Sequence, residues 1–205
     1  MAVILNATTA SGLQVSSDNS GVIQFQQNGS NTVTIPAGTG TAAVQGVSTN
    51  IVSGTAVATT SGTSFTFTSI PSWVKRITVM FQGVGTNASS STPIIQIGSG
   101  GVTTTGYLSV SAWGANASNT TLTAVTTGFS AGIGNATSTR HGTIVLSLLS
   151  GNTWVASGTL YDSTGGRINW TAGSISLAGV LDRIVLTTLN GTDAFNAGSI
   201  NILYE

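Results

Sequence analysis

Apolar and polar residues alternate in short runs along most of this chain, and Gly, Asn, Ser and Thr break the runs every few residues. Side chains alternate across a strand, so a period of two with turn residues between the runs predicts β-structure. The clearest run is Ser72-Trp73-Val74-Lys75-Arg76-Ile77-Thr78-Val79-Met80-Phe81. Read as one strand, it puts Trp73, Ile77, Val79 and Phe81 on one face and Val74, Arg76, Thr78 and Met80 on the other. The stretch Leu181-Asp182-Arg183-Ile184-Val185-Leu186-Thr187-Thr188-Leu189 echoes it. These two are expected to be the inner strands of a sheet sandwich.

Further strands are expected at 65–67, 94–97, 108–112, 122–125, 129–133, 143–149, 154–156, 168–170, 175–177 and 200–204. Such close spacing indicates a sandwich or barrel. No segment carries apolar residues at helical spacing with helix formers between them, so helix is expected to be nearly absent. The 183–189 strand turns at Asn190-Gly191, loops over 193–198 and is expected to return as a hairpin through Ile200, Ile202 and Tyr204. Residues 63–205 therefore read as an all-β, jelly-roll-like antiparallel β-sandwich. Residues 1–50 read as a short β-rich N-terminal segment with strands at 13–15, 22–26 and 32–35. They hold too few apolar residues for a core of their own and need a partner, which suits attachment or oligomerisation. Residues 51–62 read as a Gly/Ser/Thr linker, although Ile51, Val52 and Val57 suggest that part of it packs extended.

Composition sharpens this picture. Charged residues make up 5% of 205 residues, against roughly 25% in ordinary soluble proteins. Net charge is zero, so the repulsion that keeps copies of a protein apart is missing. A fixed oligomer that buries its strand edges is the expected response. Five basic residues, of which only Lys75 and Arg76 are adjacent, argue against nucleic-acid binding. There are no cysteines for disulfides or thiolate metal sites. No apolar run is long enough to span a membrane as a helix, and Met1 to Leu5 is too short for the core of a signal peptide.

Candidate chemistry is sparse. Gly128-Phe129-Ser130-Ala131-Gly132 matches the G-x-S-x-G elbow, but no helix is expected after it and His141 is the only histidine. A single His makes no ordinary zinc site, and His141 reads as a turn residue ahead of a strand at 143. Asp162, Asp182 and Asp193 sit at turn signals, where Asp bonds its own backbone, and Asp182 has Arg183 beside it. Neither cofactor nor catalytic residue is expected. Of the tryptophans, Trp73, Trp154 and Trp170 read as core. Trp113 opens the polar stretch Gly114-Ala115-Asn116-Ala117-Ser118-Asn119, the composition of a recognition tip. The candidate contact residues for a receptor or partner are therefore Trp113, Asn116, Asn119, Arg140 and His141.

Phe65-Thr66-Phe67-Thr68-Ser69-Ile70-Pro71-Ser72-Trp73-Val74-Lys75-Arg76-Ile77-Thr78-Val79-Met80-Phe81 resembles the opening of a C-terminal domain in tail-fibre and other virion proteins of tailed bacteriophages. Gly101 to Tyr107, Ser150-Gly151-Asn152-Thr153-Trp154-Val155, and the stretch from Leu189-Asn190-Gly191-Thr192-Asp193 to Tyr204 are similar to that family too. The resemblance implies a non-enzymatic virion structural protein assembled in the host cytoplasm. It also implies a homotrimer, anchored to other virion proteins through residues 1–50, whose sandwich head meets a host surface glycan or protein. The compact length raises a capsid decoration, cement or head-fibre protein as one alternative; a soluble carbohydrate-binding module, a different class of protein, is the other.

Overall fold

In the computed structural model, residues 23–27, 30–35, 51–87, 92–114, 121–132 and 135–205 are described. The chain divides into two compact units, Met1–Ser48 and Thr49–Glu205. In the first, β1 (Ile23–Gln27) and β2 (Ser30–Ile35) form an antiparallel pair with a register shift after Phe25. The strand expected at 13–15 lies outside the described residues.

The second unit is an antiparallel β-sandwich, the all-β fold expected, with no helix among the described residues. Its strands begin with β3 (Val52–Ser53), β4 (Val57–Ala58), β5 (Ser64–Phe67), β6 (Arg76–Thr86) and β7 (Pro93–Ser99). Next come β8 (Gly101–Val102), β9 (Leu108–Gly114), β10 (Thr121–Val125) and β11 (Phe129–Ser130). The series closes with β12 (Thr139–Ser150), β13 (Thr153–Asp162), β14 (Arg167–Ser176), β15 (Arg183–Thr188) and β16 (Phe195–Tyr204). The larger sheet has nine strands in the order β10-β9-β14-β13-β12-β6-β16-β3, with β4 also on β16. The smaller has five, in the order β11-β7-β15-β5, with β8 on β7.

The two strands read as inner are inner. β6 lies between β12 and β16, and β15 lies between β7 and β5. Ile77, Val79, Ile144, Leu146, Ile200 and Ile202 project from the larger sheet onto Ile95, Ile97, Ile184 and Leu186 of the smaller. Each such side chain taken fully out of water contributes roughly 1.5–3 kcal/mol, and these rows close the sandwich.

Four readings of the pattern are corrected. The alternation of the opening stretch does not reach Trp73. A turn closed by the Val74 N–H on the Pro71 carbonyl precedes β6, so Val74 is buried and Trp73 lies exposed against Tyr204. Residues 168–170 and 175–177 are not two strands, because 168–170 and most of 175–177 belong to β14, which runs unbroken through Gly173. β15 and β16 are not a hairpin, since they belong to different sheets and the chain crosses the sandwich between them. Trp170, read as core, points outward and is 46% exposed, and of the four tryptophans only Trp154 is buried in the core.

Residues 51–62 are tied to the sheet. β3 and β4 pair with β16, and the buried Thr59 hydroxyl donates to the Ala197 carbonyl at 2.6 Å. β16 crosses β6 at a bulge where Gly198 has φ 87°, and a Cβ there would lie 2.3 Å from the Gly83 backbone. No side chain fits that crossing.

Candidate functional site

Strands β9, β12, β13 and β14 bring a polar group together at one end of the inner face. The ladder sets Arg140 opposite Asp162, Asp162 opposite Arg167, and Trp113 opposite Asn169. Arg140 and Asp162 are fully buried and Asn169 is 3% exposed. Asp162 Oδ1 accepts from the Ser138 hydroxyl at 2.7 Å and from the Thr164 N–H at 2.9 Å. Burial pushes the Arg140 guanidinium down to about 10, and the Asp162 charge works against that fall. A Cβ on Gly132 would lie 3.3 Å from both Arg140 and Asn169, so these three positions converge. Trp113 closes the end, half-buried, with the Arg167 guanidinium 4.4 Å from its ring centroid.

Of the five contact residues expected, Trp113 and Arg140 belong to this end. Arg140 offers a partner no surface, because it is an interior cation facing an interior anion. His141 is not a turn residue. It lies within β12, points to the opposite face of the sheet and stands 6.2 Å from the Tyr161 ring. Asn116 and Asn119 lie outside the described residues.

The G-x-S-x-G serine is placed as a structural residue. Ser130 is buried in the two-residue strand β11, its hydroxyl bonded to Ser111 Oγ at 2.8 Å and the Gly132 carbonyl at 3.1 Å. An elbow serine must instead stand exposed at a strand–helix corner. Asp182 bonds Arg183 and the Gly100 N–H, and the first of these chiefly holds its carboxyl below the usual range. Glu205 pairs with Arg76. Among the described residues no three His, Asp or Glu side chains gather as metal ligands.

The outer face of the larger sheet is the other candidate. Leu122, Ala112, Trp170, Thr159, Thr143 and Met80 form one row across six strands. Ala124, Val110, Ala172, Ser157, Val145, Thr78 and Leu203 form the next across seven. Neither row holds a charged residue. Leu108 and Leu122 are 75% and 70% exposed, and Val110, Tyr161, Ile168 and Trp170 are exposed beside them. An open groove of about 420 Å³ at the β9–β10 end of the sheet is lined by the outward Leu108, Val110, Ala124 and Ala172 together with Gly173 and the buried Tyr107 and Val125. The Trp170 ring lies over Gly114, where a Cβ would come within 3.1 Å of it.

Sequence reasoning missed Asp162, Arg167 and Asn169 as members of the polar end, and the outer face altogether. Compared with known proteins, the chain matches no family model, no curated protein and no solved structure.

Proposed function

We propose that this chain is a non-enzymatic structural protein of a virion, of the tailed-bacteriophage kind, working as an assembly of identical copies. In this reading the first unit attaches the assembly to other virion proteins, and the sandwich is displayed for contact with a host surface. The observation that supports it best is the outer face of the larger sheet, whose central rows carry no charge and whose β10–β9–β14 part exposes Leu122, Leu108, Val110 and Trp170. Apolar patches on lone soluble proteins seldom exceed a few hundred Å², and larger ones mark association surfaces. The economy of charge fits as well, because Arg76 with Glu205 and Arg183 with Asp182 are mutually neutralised. Immunogold labelling of purified particles with an antibody to this chain tests the reading. Label on heads or tails is expected, and unlabelled particles overturn it. Label on heads alone would favour the decoration protein over the fibre.

A soluble carbohydrate-binding module is the second reading, and the exposure of Trp73 and Trp170 favours it. It requires a monomer with glycan affinity that Trp170→Ala abolishes.

A further inference from the structure

The groove and the tryptophan on the outer sheet face have no occupant within the described second unit. We infer that this face, from β10 to β16, is the contact surface for a second copy of the chain, with a large apolar side chain of one copy seated in the groove of the other. The inference rests on the reading of the protein as an assembly and names the surface that does the assembling.

Three observations select a second copy as the occupant. The first is area. Seven strands at about 4.8 Å spacing and four outward rows about 6.6 Å apart span about 29 Å by 20 Å centre to centre, about 580 Å² before the margins and side-chain relief are added. A standard stable interface takes about 800 Å² from each partner. The second is charge. Among the described residues of this face the ionisable side chains stand at its margins: His141 and Tyr161 along one end, and Arg76, already paired with Glu205, at the other. Like meets like here without charge repulsion and without stripping water from an unpaired ion. The third is shape. The groove between Leu108, Val110 and Ala172 lies on the same face as Trp170, one to two rows away. A knob and a hollow on one surface are what a self-contact needs, and two sheets meeting face to face pack about 10 Å apart by interleaving such side chains.

The full chain tests this by light scattering and sedimentation across a concentration series. Ala172→Lys sets a cation in the groove from an outward position of β14, away from the core, and Ser157→Cys adds one thiol to a chain that has none. The wild-type chain is expected to give the mass of two or more copies. Ala172→Lys is expected to weaken association at least about 100-fold, since a charge is buried without a partner, with unchanged far-UV and near-UV circular dichroism. The thiol introduced by Ser157→Cys is expected to react slowly with a maleimide in the assembled protein and fast once Ala172→Lys is added. A monomeric wild-type chain overturns both this inference and the assembly reading. Wild-type mass in Ala172→Lys with an accessible thiol at position 157 overturns this inference alone and leaves the assembly held together by other surfaces.

Discussion

The two faces of the nine-stranded sheet are made by the same strands and differ in one respect. The inner face of β12 presents Ile144 and Leu146, each with no exposure, to the second sheet. The outer face presents Thr143, Val145 and Ser147 one residue away, and on β9 and β14 it presents Leu108, Val110 and Trp170 with nothing laid over them by the described second unit. In an antiparallel sheet with one solvated face, the outer positions are ordinarily polar. Here they are uncharged hydroxyls at the centre of the sheet and large hydrophobic groups toward β10. The inner face explains why the chain folds. The outer face is packed by nothing in the described second unit, and it is the surface on which the proposed self-contact rests.

The comparison breaks most sharply at the polar end, where the inner face carries charge. Asp162→Ala leaves the Arg140 guanidinium buried without its opposing carboxylate and strands the donors of Ser138 and Thr164. Removing one partner of a buried pair costs about 3–5 kcal/mol, so urea denaturation is expected to lose that much. A loss below about 1 kcal/mol would mean that the interior there admits water. Ile144→Ala and Thr143→Ala then test neighbouring positions of one strand. The first is expected to cost about 2–5 kcal/mol as a cavity opens under the second sheet. The second is expected to stay within about 0.5 kcal/mol. Equal losses would show the two faces to be equally covered.

Much of this was legible from alternation alone. The period of two placed Ile77, Val79, Ile144, Leu146 and Ile200 correctly, because burial between two sheets acts on every second residue. The same rule holds the key to the polar end. Arg140 has the parity of Ile144 and Leu146, and Asp162 has the parity of Trp154 and Ala156. Beginning one strand at Thr143 and ending the other at Ala156 hid both, since a charged residue reads as a strand end when its partner is twenty-two positions away. The misplacement of Trp170 has a different cause. Parity says which face a residue takes, but not which face is covered, and Trp170 occupies the uncovered one. The β15–β16 hairpin failed because Asn190-Gly191 marks a turn without saying whether the chain re-enters the same sheet. The turn is made, with Gly191 at φ 71°, and the next strand joins the other layer.

The mildest test concerns how the inner face is sealed at its β9 margin. Tyr107 precedes β9, stacks edge-on against Phe129 at 5.0 Å and is 1% exposed. Its hydroxyl accepts from the Ile97 N–H at 2.8 Å and reaches the carbonyls of Thr103 at 3.0 Å and Ile97 at 3.2 Å, so it joins the margin of the larger sheet to β7 of the smaller. Tyr107→Phe keeps the ring and removes the bonds, and is expected to cost about 1–3 kcal/mol near neutral pH. Burial pushes the phenol up to about 12, with the Ile97 hydrogen bond opposing. In the unfolded chain it ionises near 10. Between those values the folded protein holds a proton that the unfolded chain has lost, so stability falls as pH rises from about 10 to about 12, by at most about 1.4 kcal/mol per pH unit. Arg140 contributes the opposite slope over the same window, because its folded value is the lowered one. The difference between wild type and Tyr107→Phe isolates the phenol: the two denaturation curves should converge through that window and run parallel below about pH 9. Curves that stay parallel up to about pH 12 would mean that the hydroxyl is open to water, and that the sealed face has a gap beside β9.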